Sequence, residues 1–152
     1  MGESRFAVYQ MQEVVLDTNV LVAALRSKRG ASYQLVRSLG QGDWRPNISV
    51  ALALEYEDVL KRKGRLPITE AEADDFLDYV FKASNLVPSV LRRRPSLRDP
   101  DDERILEVAV ECRATIVTLN KRDFAGASRF SIPIRTPGEF IRDLRASNEH
   151  DG

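Results

Sequence analysis

Glu13-Val14-Val15-Leu16-Asp17-Thr18-Asn19-Val20 decides how the rest of the chain is read. Four residues of it form a short run rich in β-branched and aliphatic side chains, closed abruptly by an acid. Such a run, bounded by polar residues, predicts a buried strand. Beyond it, Val20, Leu21, Ala24 and Leu25 recur at helical spacing. A strand running directly into a helix is the opening of a parallel α/β unit. In open parallel sheets the carboxyl ends of the strands border the ligand crevice, so Asp17 is expected at its rim.

Working outward, the alternation continues. A second helix is expected from Ser32 to Leu39, closed by Gly40 and Gly42, then a weaker strand from Trp44 to Ile48. Ser49 fits an N-cap for a third helix to about Lys63, and Thr69-Glu70-Ala71-Glu72 is a capping-box sequence opening a fourth, to about Lys82. Leu86-Val87 is a short strand. Asp99 and Pro100 suit the cap and first position of a fifth helix to about Cys112. Ala114–Leu119 is the second strong apolar strand, Ile132–Arg135 a last short one, and Thr136-Pro137-Gly138-Glu139 opens a terminal helix to about Arg145. The expected architecture is a single α/β domain, a central parallel sheet covered by helices on both faces, over residues 13–146. Residues 1–12 are read as an N-terminal extension and 147–152 as a polar tail.

Bulk composition narrows the function classes. At 152 residues and 43% hydrophobic content the chain suits one domain with a real core. Its 23 basic and 23 acidic side chains cancel, so a polyanion partner must be met by a local patch. A lone Cys112 excludes an internal disulfide, and His150, the only histidine, argues against a histidine-based zinc site or a Ser-His-Asp triad. No apolar stretch approaches a membrane span, and the chain is expected to be soluble and cytoplasmic.

The acids carry the chemistry. On a helical projection of the fifth helix, Asp102 falls inside the apolar arc of Ile105, Leu106, Val108 and Ala109, with Glu103, Glu107 and Glu111 on the other side. Glu55 borders the stripe of Leu52, Tyr56, Val59 and Leu60, whereas Glu57 and Asp58 face outward. Asn120 and Asp123 lie just past the second strong strand, with Thr118 a candidate hydroxyl at the same edge. Carboxylates converging on one crevice repel unless a cation holds them, which outlines a magnesium site for phosphodiester chemistry. Structural alternatives stand beside each assignment: first-turn capping for Asp102, a boundary glutamate for Glu55, a turn cap for Asp123.

The ordered set resembles a known family. Val15-Leu16-Asp17-Thr18-Asn19-Val20-Leu21, Gly30-Ala31-Ser32, Ser49, Leu54-Glu55-Tyr56-Glu57-Asp58-Val59-Leu60, Asp99-Pro100-Asp101-Asp102 with Ile105-Leu106, and Ile116 through Phe124 follow the order of PIN domains, small metal-dependent ribonucleases. The likeness is greatest to the branch regarded as toxin components of bacterial toxin–antitoxin systems. It implies a three-layer α/β/α, Rossmann-like fold, and Asp17, Glu55, Asp102 and Asp123 as catalytic acids. It also implies Mg²⁺ or Mn²⁺, an RNA substrate, homodimers, and a small antitoxin. Asp17 and Asp102 would hold the metal, while Thr18, Asn19, Asp99, Thr118 and Asn120 would support the acids. One departure is Asn120, where many relatives carry an acid. RNA contacts are expected from Arg92, Arg93, Arg94 and Lys121. The competing readings are a catalytically weak module of the same fold that binds RNA or protein, and a haloacid dehalogenase-like phosphatase with Asp17 as nucleophile. The latter usually needs an acid at the place of Asn19.

Overall fold

The computed structural model describes residues 11–88 and 100–151. Arg92, Arg93, Arg94 and Asp99 lie outside the described residues, as does nearly all of the expected N-terminal extension. Five strands form one all-parallel sheet, in the order β3-β2-β1-β4-β5. They are β1 (Gln12–Leu16), β2 (Trp44–Ser49), β3 (Asn85–Val87), β4 (Thr115–Val117) and β5 (Ile134–Arg135). Helices α1 (Thr18–Arg26) and α2 (Ala31–Arg37) join β1 to β2, and α3 (Val50–Leu60) and α4 (Glu70–Ala83) join β2 to β3. Helix α5 (Pro100–Cys112) precedes β4, a 3₁₀ segment spans Lys121–Phe130, and α6 (Pro137–Asp151) follows β5.

The expected parallel sheet, flanked by helices, is therefore present. Val14, Val15 and Leu16 are all inaccessible to solvent. Successive strand residues point to opposite faces, so burial of all three means that both faces of β1 are covered. The core gathers these with Leu21, Leu35, Trp44, Leu52, Tyr56, Ile105, Leu106, Ile116 and Phe124. Trp44 packs edge-on against Phe140 of α6, with ring centroids 6.1 Å apart.

The helix starts follow their caps. Ser49 accepts from the Leu52 amide at 3.1 Å, and Thr69 and Glu72 close a reciprocal capping box. Thr136 and Glu139 make the same exchange at the start of α6. Gly40 and Gly64 take φ of 83° and 77°, left-handed backbone that lets the chain leave α2 and α3.

Three differences are informative. Helix α6 continues past Arg145 to Asp151, into the stretch read as a polar tail. The ten residues after Asn120 form a 3₁₀ segment that the apolar pattern does not announce, anchored by buried Phe124 and Ala127. Glu103, expected on the solvent side of α5, is only 7% exposed. The helical wheel assumed a one-sided helix, but α5 packs across β1, β2 and β4 and also against α3 and the 3₁₀ segment.

Candidate active site

The strand order fixes where a site can form. From β1 the chain proceeds outward through β2 to β3, then returns to place β4 on the other flank of β1. The carboxyl ends of β1 and β4 therefore border the crevice where the winding direction switches, the ordinary ligand position of an open parallel sheet. Asp17 follows the last residue of β1 and Thr118 the last of β4, in register through the pair Leu16 and Val117.

These two residues touch. The Thr118 hydroxyl donates to Asp17 Oδ2 at 2.7 Å, with Asp17 8% exposed and Thr118 fully buried. The Asp17 amide donates to the Val117 carbonyl at 2.9 Å, so main chain and side chain are both tied to β4. Burial pushes the Asp17 carboxyl above its ordinary value. The Thr118 hydroxyl and the amides of Thr18 and Asn19 pull the other way without offsetting it, and the charge of Asp123 adds to the rise.

Asn19 and Asn120 organise the loop after β4. Asn19 Oδ1 accepts from the Leu119 amide at 3.3 Å, and the Asn120 amide donates to Thr118 Oγ1 at 3.0 Å. Asn120 Nδ2 donates to Asp123 Oδ2 at 2.9 Å, so this side-chain amide holds the exposed acid three residues on. Lys121 is exposed and pairs with Glu139 at 3.1 Å.

Helix α3 brings the next acid. The Thr18 hydroxyl donates to Glu55 Oε2 at 2.7 Å, and Arg104 Nη1 donates to Glu55 Oε1 at 3.1 Å. Arg104 Nη1 also donates to Asp101 Oδ1 at 2.7 Å. Burial, with the neighbouring charge of Asp101, pushes the Glu55 carboxyl up, while the Thr18 hydroxyl and Arg104 pull it down. Beneath both acids the buried Tyr56 hydroxyl donates to the Leu16 carbonyl at 2.5 Å. Its proton is held well above the usual phenol range by burial and by the charges of Asp17 and Glu55. Asp102 stands half-buried in the first turn of α5, next to the residues that meet Glu55.

Sequence reasoning missed Arg104, Asp101 as its partner, and Tyr56. No local signal marks Arg104, because its partner Glu55 is 49 residues away. Tyr56 was identifiable only as core.

The donor chemistry can be tested against a divalent ion. Every side chain offered is a carboxylate, hydroxyl or amide oxygen, the set that hard ions such as Mg²⁺ and Mn²⁺ accept. A guanidinium already stands between Glu55 and Asp101 as a cation would. Among the described residues, however, no three acidic side chains are gathered to bonding distance of one point. The acids meet instead in pairs, Asp17 with Asp123 and Glu55 with Asp101. The donor types fit such an ion.

A protein-family model described as PIN domain matches residues 13–122, which take in nearly all of β1 through β4 and three of the four acids, Asp17, Glu55 and Asp102, and end one residue before Asp123. No curated protein matches the chain.

Proposed function

This chain belongs to the PIN domain family, whose members are generally nucleases that use divalent metals, and from that premise we propose that it is an Mg²⁺- or Mn²⁺-dependent ribonuclease. The observation that carries the reading is the Asp17 carboxylate. It is buried at the carboxyl end of the central strand, at the switch point of the sheet, with Asp123 near enough to raise its proton affinity. A purely structural carboxylate would be matched by a cation there, and no ion pair involving Asp17 occurs among the described residues.

In this reading Asp17 and Asp102 hold the ion, and Asp123 with Asn120 completes the polar wall. A divalent ion bound there lowers the pKa of an attached water and offsets charge building on the phosphoryl oxygens. The protein's own contribution is orientation. Thr118 fixes Asp17, Thr18 fixes Glu55, and Asn19 and Asn120 hold the loop that carries Asp123. Glu55, its proton affinity raised by burial, is suited to accept a proton from the attacking water. Asp99, outside the described residues, would support the same wall. Arg92, Arg93, Arg94 and Lys121 would meet the RNA backbone, giving a steep salt dependence and little sequence choice.

The test is cleavage of single-stranded RNA with Mg²⁺ or Mn²⁺ by the wild type, Asp17→Asn and Asp102→Asn. The wild type should cut, and each variant should lose about a hundredfold to a thousandfold in rate. Equal cleavage by all three would overturn the assignment. A second reading, a module that binds RNA without cutting it, draws on Asn120 and on the pairwise spacing of the acids. It predicts retained RNA binding with no cleavage in either metal. The phosphatase reading is weakened by Asn19, whose carbonyl oxygen is already committed to the Leu119 amide.

The same reading makes the protein the toxin half of a toxin–antitoxin pair, cytoplasmic and homodimeric. In its support, no helix among the described residues is long and apolar enough to cross a membrane. An apolar groove of about 260 Å³, lined by Leu25, Tyr33, Val36, Phe76 and Tyr79, offers a surface to a protein partner.

A further inference from the structure

Arg104 is the one cation among the described residues that contacts an acid of the crevice, and its geometry is unusual for a surface arginine. One nitrogen, Nη1, serves both Glu55 Oε1 and Asp101 Oδ1. The other Glu55 oxygen is held by Thr18, the neighbour of Asp17. The Glu55 side chain is 9% exposed and that of Arg104 43%, so the guanidinium covers the carboxylate on its solvent side. Surface ion pairs between long side chains contribute little to stability. A charge-assisted bond onto an enclosed carboxylate is different, because loss of the guanidinium leaves a charge without compensation.

We infer that Arg104 is a positioning residue that acts as the crevice's internal cation, holding Glu55 until a divalent ion takes over its charge compensation and releases the guanidinium. The inference rests on the reading of Glu55 as part of a metal-binding crevice. A positive charge beside the crevice opposes the entry of a cation, and Arg104 must give up part of its grip on Glu55 if that carboxylate turns toward the ion. The chain thereby trades metal affinity for an ordered Glu55 in the metal-free protein.

The experiment is a titration with Mn²⁺, in the absence of RNA, of wild type, Arg104→Gln and Arg104→Lys, read by the loss of the free-ion electron paramagnetic resonance signal. Removing the charge should tighten Mn²⁺ binding by on the order of threefold to tenfold, the Coulomb effect of a unit charge in a solvent-screened crevice. Arg104→Lys, which keeps the charge, should stay within about twofold of the wild type. Unchanged or weaker binding by folded Arg104→Gln overturns the inference and leaves the nuclease reading intact. Equal tightening in the lysine variant also overturns it, because charge would then not be the cause. A wild type that binds no Mn²⁺ overturns both. A second measurement needs no variant to fold: Mg²⁺ added to ¹⁵N-labelled wild type should shift the Arg104 guanidinium resonance with the midpoint of ion binding. A resonance that stays fixed while the ion binds refutes the release.

Discussion

Strand β1 carries an acid near each end, and the two are treated in opposite ways. Glu13 accepts from Arg45 Nε at 2.9 Å and 3.2 Å and from Asn47 Nδ2 at 3.0 Å. Asn47, 1% exposed, also donates to the Val14 carbonyl and accepts from Asn85, so three strands are laced by one polar network. Asp17, four residues on, has a hydroxyl and two nearby amides but no cation, and another acid close by. The first arrangement is complete, and every group has found its counterpart within the chain. The second leaves a buried carboxylate without a cation among the described residues. Within one strand, charge matching separates the end that ties the sheet together from the end proposed to meet a metal ion.

The sharpest way to break this contrast is at Asn47. Asn47→Ala removes three hydrogen bonds, one to the buried Val14 carbonyl and two to partly buried groups on Glu13 and Asn85. Stability should fall by about 2–3 kcal/mol, read from urea unfolding. RNA cleavage by the remaining folded protein should be unaffected, since the network lies at the far end of the strand. A comparable loss of activity would show the two ends to be coupled.

Thr118→Val tests the other end. It keeps the shape but removes the donor to Asp17 Oδ2 and leaves the Asn120 amide without its acceptor. Cleavage should drop about tenfold to a hundredfold in kcat/KM, with a thermal midpoint that moves far less than in Asn47→Ala. The reverse pattern, large destabilisation with normal turnover, would make Asp17 a structural acid like Glu13.

The smallest effect discriminates by sign. Because the native Asp17 carboxyl is raised above its ordinary value of 3.8, its ionisation costs the folded state, and stability contributed by the protonated form is lost as pH rises through the native value. Asp17→Asn should therefore raise the thermal midpoint by a few degrees at pH 7 in chelator, and the gain should shrink as the pH falls toward 3.8. A lower midpoint at neutral pH would contradict the account.

The legibility of the chain follows the same division. Valine and isoleucine runs made β1 and β4 visible, because strands buried on both faces need continuous apolar sequence. The caps at Ser49 and Thr69 were visible because their partners lie three residues away. Strands β3 and β5 were expected at Leu86-Val87 and Ile132–Arg135 and are present at Asn85–Val87 and Ile134–Arg135, their short runs leaving the bounds to the longer neighbours that offer them an edge. At the site, Asp17 was legible from its position after β1. The Arg104–Glu55 contact and the burial of Glu103 were not, since both depend on how α5 is tilted against α3 and the sheet. Asn47 was passed over as an ordinary strand residue, although a buried amide in a central strand demands partners.

The bond between Thr118 and Asp17 spans 101 positions of chain. Closing so long a segment carries an entropic penalty that shorter contacts do not, and parallel pairing of β1 with β4 delivers its reward only after α1 through α5 have been laid down. On the ribosome, a nascent chain that has emerged only as far as β3 holds Asp17 and Glu55 but no Thr118 and no Asp123. Hydrolytic competence would then wait for β4 and the loop after it, and would not belong to the stretch from β1 to β3 alone.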